Sequence, residues 1–125
     1  MQQSYTFSKE EKLKSRKLIG RIFEEGHVVK AYPIRIQFIF HDYDNLPTAQ
    51  AGFSVPKRNF KLAVDRNRIK RQLKEVYRLH KADLINLLER RDKKMSLMII
   101  CTAKEKLPYE TLEKLILKAI AKIKV

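Results

Sequence analysis

The side chains that could carry out chemistry unaided are few and widely separated along the chain. The histidines are His27, His41 and His80, and the single cysteine, Cys101, lies in the apolar run SLMIIC. A reactive thiolate needs a cation or a base beside it, so Cys101 is interpreted as a small core residue. His80 is interpreted as a packed, hydrogen-bonded residue on an apolar helix face. No CxxC or HExxH spacing occurs, so the sequence does not support a zinc site.

Asp42 and Asp44 are the best candidates for a metal-dependent nuclease site, because two-metal sites require clustered carboxylates. The same acids stand beside Asn45 and Pro47, however, and this composition is typical of a turn. The sequence also lacks the GxGxxG and GxxxxGKS/T loops that bind nucleotide phosphates. We therefore predict no catalytic and no metal-binding residue in the protein itself.

The composition indicates one globular domain, residues 1–125, with a polyanionic partner. The chain has 44% hydrophobic residues, enough for a core, and only three glycines and four prolines. Its net charge of +14 indicates nucleic acid or an anionic membrane surface as the partner. A lone cysteine cannot form an internal disulfide, and neither an N-terminal signal segment nor an apolar run of transmembrane length is present. We therefore expect a cytoplasmic protein.

Half of the excess positive charge is concentrated in residues 57–78. Nine basic residues and two acids, Asp65 and Glu75, give this stretch a net charge of +7. The basic residues are Lys57, Arg58, Lys61, Arg66, Arg68, Lys70, Arg71, Lys74 and Arg78. Charge that is localised in this way is typical of a binding surface.

The spacing within this stretch separates an apolar face from a cationic one on a helix predicted over residues 65–90. The predicted core face consists of Ile69, Leu73, Val76, His80, Leu84 and Leu87. The opposite side carries a polar stripe of Asn67, Arg71, Lys74 and Arg78. Lys70 and Lys81 are expected beside this stripe. Glu75 and Asp83 are expected too far round the helix to neutralise it.

Phosphate is the anion that best fits the polar stripe. A merely solvated surface would place acids four residues from these cations, and the stripe has none. The planar guanidinium of arginine binds phosphate oxygens in pairs. Membrane binding is less favoured because the core needs the apolar face of the helix. A DNA-binding module is less favoured because Asn67 is almost the only side chain suited to reading bases. A ribosomal-type RNA-binding protein fits the composition well.

The remaining segments predict an α+β sandwich in the order αβββαβα. A first helix is expected from Ser8, with Glu11 completing a capping box, and Gly26 is a natural end for it. The run SLMIICTA predicts a strand after the long helix, and PYETLEKLILKAIAKIKV predicts a last helix.

Period-two alternation predicts two further strands, residues 34–41 and 49–56, which are expected to pair antiparallel. HVVKA, which precedes them, is expected to add a short edge strand. Gln50, Gly52 and Ser54 share one face of the second strand. Such small and polar residues indicate either a solvated sheet face or the floor of a shallow groove on which an extended ligand could lie.

The stretch KRNFKLAVDRNRIKRQLKEVYR strongly resembles the signature of the bacterial ribonuclease P protein subunit. Its elements here are Lys57-Arg58, Lys61, Ala63-Val64, Arg66-Asn67-Arg68, Lys70-Arg71, Lys74-Glu75 and Arg78. The opening segment, with Lys12-Leu13, Phe23 and Gly26, is similar to the same family, and so are GFSVPKR and MIICTAK. The resemblance therefore covers nearly the whole chain.

This resemblance implies a fold and a function. The fold would be a mixed four-stranded sheet with a left-handed βαβ crossover, similar to a domain of a small-subunit ribosomal protein. The protein would be a monomeric subunit of a ribonucleoprotein that removes the 5′ leader of precursor tRNA by endonucleolytic hydrolysis. The catalytic RNA would carry out the reaction with Mg²⁺ that the RNA mainly holds. Neither a membrane nor DNA would be a partner.

The resemblance also assigns site residues. The nine basic residues of residues 57–78, together with Asn67, would bind the catalytic RNA. A cleft for the single-stranded leader would be lined by Phe23, Arg35, Gln37 and Ser54. Ile19 stands where the family often has an aromatic residue, and Arg35 and Gln37 stand where one can occur. Base stacking would therefore rest on Phe23 or give way to polar contacts. Phe23 fits the apolar side of its helix equally well as a core residue.

Overall fold

Three helices and four strands follow one another in the predicted order αβββαβα within residues 6–125, the part of the chain that the computed structural model describes. The helices are α1 (Arg16–Glu25), α2 (Ala63–Arg90) and α3 (Tyr109–Ala121). The strands are β1 (His27–Ala31), β2 (Ile34–His41), β3 (Ala49–Ser54) and β4 (Lys94–Cys101). The α+β architecture is therefore as predicted. Residues 1–5, part of the N-terminus expected to lack a signal segment, lie outside the described residues.

The strands form one mixed sheet in the order β1-β2-β4-β3. β1 and β2 form an antiparallel hairpin, β4 pairs antiparallel with β2, and β3 pairs parallel with β4. The predicted antiparallel pairing of residues 34–41 with 49–56 is therefore wrong, because β4 lies between these strands. β4 is buried along its whole length after Lys94. A strand that is apolar on both faces is most stable at the centre of a sheet, where both faces are covered.

Side chains along β2 alternate between the two faces of the sheet, as predicted, and the structure has a core on each face. Ile34, Ile36 and Phe38 belong to the larger core, which also contains the apolar faces of α2 and α3. Ile39 points to the other face of the sheet, where it packs in a smaller core with Leu18 of α1. The sheet is thus covered by two helices on one face and by α1 on the other.

The N-terminal segment differs from the prediction, because α1 begins at Arg16 and not at Ser8. The Ser15 hydroxyl caps α1 by accepting a hydrogen bond from the Leu18 amide at 3.2 Å. Glu11 does accept a bond from the Ser8 amide at 2.6 Å, but this closes only one short turn of 3-10 helix. The chain then runs beside β3, where the Leu13 amide donates to the Ala51 carbonyl. This segment covers an edge strand that would otherwise expose unpaired backbone groups.

Candidate functional site

The apolar side of α2 fixes which of its cations face outward. Ile69, Leu73 and Val76 are buried against the sheet, as predicted. Arg68 and Arg71 are consequently exposed, and neither forms a hydrogen bond or ion pair with another residue in 6–125. Asn67 is exposed beside them. This turn of α2 therefore presents guanidinium groups whose donors are available to an external anion.

The second half of α2 departs from the predicted core face. Tyr77 and Leu88 are buried, whereas Leu87 and His80 are only half-buried. The His80 Nε2 lies 3.0 Å from a carboxylate oxygen of Glu113 on α3. The buried face of α2 shifts around the helix in this half, because α3 packs along α2 and contacts one side of it. His80 is thus hydrogen-bonded, as predicted, but it lies at the margin of the core.

Lys81 does not flank the polar stripe as predicted. It is 2% exposed, and its ammonium donates to Glu11 Oε1 at 2.5 Å and to the Thr6 carbonyl. The aliphatic part of a lysine packs well in an apolar environment when its charge finds a partner. Lys81 therefore attaches the N-terminal segment to α2 and is not available to bind RNA.

Glu75 lies closer to the polar stripe than predicted. Its carboxylate accepts two hydrogen bonds from Arg78, at 2.6 Å from Nη2 and 3.1 Å from Nε. The hydrogen bonds from Arg78 lower the pKa of Glu75, and those to Glu75 raise the pKa of Arg78. Arg78 therefore presents less uncompensated charge than the arginines at the start of the helix.

The loop between β3 and α2 carries three exposed cations, Lys57, Arg58 and Lys61. Arg66 holds this loop, because its Nη1 donates to the Phe60 carbonyl at 2.7 Å and to the Lys61 carbonyl at 2.9 Å. Arg66 is thus a positioning residue as well as a candidate RNA ligand. We define the basic end as Lys57, Arg58, Lys61, Arg68 and Arg71.

The other two predicted RNA-binding lysines, Lys70 and Lys74, are half-buried. The Lys74 ammonium lies 5.6 Å from the centre of the Phe7 ring, in a cation–π contact. Both lysines lie on α2 beside the basic end. Their side chains have less conformational freedom than the exposed arginines.

The predicted leader-cleft residues lie on the face of the sheet that α1 partly covers. Arg35 and Ser54 both pair with Ile100, so they occupy one row across three adjacent strands. The Nε of Arg35 and Oε1 of Gln37 are buried, and neither finds a hydrogen-bond partner within residues 6–125. Phe23 is 47% exposed, so it is not the core residue that its helix face also allowed. Buried polar atoms usually have partners, so these two atoms of Arg35 and Gln37 are exceptions on this face of the sheet.

The groove floor predicted at Gln50, Gly52 and Ser54 is open only at one end. Gln50 is 8% exposed and donates to the Glu10 carbonyl at 2.9 Å. Met98 covers Gly52 so closely that a Cβ there would come within 2.5 Å of its sulfur. The N-terminal segment therefore fills one half of the predicted groove, and only the Ser54 half, next to the basic end, remains accessible.

Few groups in residues 6–125 are placed for acid–base or metal chemistry. No group of three or more His, Cys, Asp or Glu side chains in residues 6–125 is placed to hold a metal ion. Burial raises the pKa of the Cys101 thiol. Burial, reinforced by Lys94 and Arg21, lowers the pKa of His41, whose Nε2 lies 2.9 Å from the Ser96 hydroxyl. Ser96 and His41 thus form one hydroxyl–imidazole pair, in which Ser96 is fully buried at 0% exposure.

Within residues 6–125, none of the helices combines the length and the apolar character needed to cross a bilayer.

The mixed sheet has helices on both faces, and at one end exposed cations have no ion-pair partner in residues 6–125. These features define a small α+β protein with a strongly positive surface. The family model described as Ribonuclease P matches residues 7–124, and the chain belongs to this family. Members of the family are protein components of a ribonucleoprotein that acts in tRNA processing, so an RNA is a partner of the chain.

Individual relatives agree with this assignment. The ribonuclease P protein component of Porphyromonas gingivalis is 30% identical over 120 residues, covering 96% of this chain and 88% of that protein. The component from Dictyoglomus turgidum is 42% identical over 77 residues, covering 62% of this chain and 61% of that protein.

Solved structures share the fold. The RNase P protein from Thermotoga maritima superposes with a TM-score of 0.70 at 21% identity, covering 92% of this chain and 99% of that one. The RNase P protein from Staphylococcus aureus has a TM-score of 0.69 at 22% identity, covering 90% and 95%.

Proposed function

We propose that this chain binds the catalytic RNA of ribonuclease P and the 5′ leader of precursor tRNA, and so assists removal of the leader. The observation that carries the proposal is the basic end, where Arg68 and Arg71 stand exposed with no ion-pair partner among the described residues. Family membership identifies the polyanion as the RNA of a ribonucleoprotein.

The basic end and the leader cleft would bind different RNA segments. The cations of the basic end, with Asn67, Arg66, Lys70, Lys74 and Arg78, would contact phosphates of the catalytic RNA. The row of Arg35 and Ser54, next to Gln37, would hold the leader through polar contacts, with Phe23 as an exposed aromatic on α1. Phosphate contacts position an RNA without reading its sequence, which suits a protein that serves many precursors.

Catalysis would belong to the RNA, together with Mg²⁺ that the RNA mainly holds. The basic end does not fit a magnesium ion bound by protein carboxylates. Asp65 pairs with Lys106 at 2.9 Å, and Glu75 pairs with Arg78 at 2.6 Å. Magnesium prefers unpaired oxygen ligands, and phosphates of the bound RNA supply them. The protein's contribution would be to neutralise phosphate repulsion and to fix the leader.

Reconstitution tests the proposal directly. The full chain is mixed with a bacterial ribonuclease P RNA, and cleavage of the 5′ leader is measured at a Mg²⁺ concentration at which the RNA alone is slow. We expect the protein to accelerate cleavage, and to do so more strongly for precursors with a leader of several nucleotides than for a one-nucleotide leader. The proposal fails if the rate is unchanged at protein concentrations that saturate binding. Equal affinity for an unrelated structured RNA of the same length would indicate a general RNA-binding protein instead.

A further inference from the structure

Tyr32 is the most exposed large aromatic side chain in residues 6–125, at 78%. Tyr32 and Pro33 form the turn between β1 and β2. A single exposed aromatic residue needs no explanation by itself. The surroundings of Tyr32, in contrast, have a definite shape and charge.

Tyr32 and Pro33 separate two hollows on the surface. The first has a volume of about 130 Å³, and Lys30, Arg35 and Thr102 contribute to its wall. The second has a volume of about 270 Å³ and is bounded by the segment after β4, including Lys104, Glu105 and Leu107. The Tyr32 ring thus lies between the two hollows, and at least one cation lines each hollow.

The hairpin turn is joined to the basic end by hydrogen bonds through a single residue. The amide and the hydroxyl of Thr102 both donate to the Pro33 carbonyl, at 2.8 and 3.1 Å. The Thr102 carbonyl in turn accepts a bond from the Asn59 side chain at 3.0 Å. Asn59 lies in the loop between Arg58 and Lys61, so the turn and the cationic loop are held in a fixed relation.

The sheet provides a second connection. Lys30 pairs with Arg35, Arg35 with Ile100, and Ile100 with Ser54, which forms one row across all four strands. Three strand spacings separate its ends, or about 14 Å. The row leads from the open half of the leader cleft to the β1–β2 hairpin that carries Tyr32. The two hollows together contain three cations, Lys30, Arg35 and Lys104, and one acid, Glu105.

We propose that Tyr32 is a stacking platform for one unpaired nucleobase at the far end of this row. The phosphates that flank the base are contacted by Arg35 in the first hollow and by Lys104 in the second. Aromatic rings bind single-stranded nucleotides in this way when cations track the backbone beside them. This inference rests on the proposed function and extends its RNA surface to the turn of the β1–β2 hairpin.

The stacked nucleotide has two possible sources, the leader of the precursor and an unpaired segment of the catalytic RNA. Affinity is measured for wild type, Tyr32→Ala and Tyr32→Phe, first with the catalytic RNA alone and then with precursors of increasing leader length bound to the holoenzyme. We expect Tyr32→Ala to weaken one of these interactions about 5- to 100-fold, and Tyr32→Phe to retain it, since stacking needs only the ring. Loss with the RNA alone identifies the catalytic RNA, and loss only with long leaders identifies the leader.

The matched control is Tyr43→Ala, which removes another exposed tyrosine beyond the opposite end of β2. It should leave both affinities unchanged. Tyr32→Trp adds a direct readout, because the chain contains no other tryptophan. Its fluorescence should be quenched when the RNA that supplies the base is bound.

The outcomes separate the two proposals. If Tyr32→Ala binds both RNAs like wild type while Arg68→Ala/Arg71→Ala binds weakly, the stacking role is overturned and the proposed function stands. Unquenched fluorescence of Tyr32→Trp at saturation overturns it as well. If the double arginine variant also binds like wild type, the proposed function itself fails.

Discussion

The two ends of the sheet differ in how their charges are balanced. At the basic end, where β3 ends and α2 begins, the exposed cations have no ion-pair partner among the described residues. At the other end, which we call the acidic end, β2 finishes and α2 meets β4. The wall of an open cavity of about 330 Å³ there contains four acids and two lysines, Lys93 and Lys94. These acids are Asp42, Asp44, Glu89 and Asp92. A polyanion should be attracted more strongly to the basic end than to the end where acids and cations offset one another, so we expect this difference to orient an RNA on the protein.

Lys81 gives the largest expected effect, because it is a cation between the two ends that belongs to the protein interior. Lys81→Ala should lower the free energy of unfolding by about 3–5 kcal/mol, since Glu11 loses its partner in a mostly buried site. Urea denaturation measures the change. The double variant Lys81→Met/Glu11→Leu should recover most of it, and Lys118→Ala on the exposed side of α3 should change little. A decrease in the free energy of unfolding of less than about 1 kcal/mol would contradict this prediction, because substitutions of surface lysines have effects of that size.

The next effect contrasts two arginine pairs, one near each end of α2. Arg68→Ala/Arg71→Ala at the basic end should weaken RNA binding about 10- to 100-fold, because charge-assisted hydrogen bonds are lost. The slope of log affinity against log salt should become less steep by about two. The matched control is Arg90→Ala/Arg91→Ala at the acidic end, which removes the same charge from exposed positions. Equal losses from both pairs would mean that net charge alone governs binding and that the two ends are equivalent.

The smallest effect concerns His41, which lines the acidic cavity. Burial holds its pKa below the ordinary value of 6.5, so the unfolded chain binds a proton more readily than the folded one. The stability that His41 contributes is complete above pH 6.5 and is lost as the pH falls from there to the folded pKa. Urea midpoints at pH 7.5 and pH 5 should therefore differ less for His41→Gln than for wild type. An identical difference would exclude His41 as a contributor.

Patterns of hydrophobicity predicted most elements of the fold, but they did not identify strand partners. Alternation along β2 indicated correctly which side chains face each core. It contained nothing to indicate that β4 inserts between β2 and β3, because pairing depends on how the whole sheet buries its most apolar strand. Ser8 and Ser15 are both possible helix caps, and the choice was decided by the contacts of residues 12–13 with β3.

The sequence predicted the position of a candidate-site residue when the helical period alone determines which way the side chain points. It failed when a long side chain extends to a partner on another segment or another face. The exposed positions of Arg68 and Arg71 follow from the helical period alone. Lys81 turned inward because Glu11, 70 positions earlier, lies close enough to receive its charge. Glu75 reached Arg78 because residues three apart on a helix are neighbours. A long flexible side chain can thus make contacts on a different face of the helix from the one that its position in an ideal helix predicts.

The central position of β4 has a consequence for synthesis of the chain. Because β4 separates β2 from β3, neither strand β3 nor the helix that rests on it has its native support until residues 94–101 have left the ribosome. The nascent chain before that point contains a hairpin, an unpaired strand and a strongly basic segment. Sheets that depend on such distant partners close late. The cationic surface is therefore assembled only after residue 101 has been synthesised, and a growing chain cannot present that surface in its native form before then.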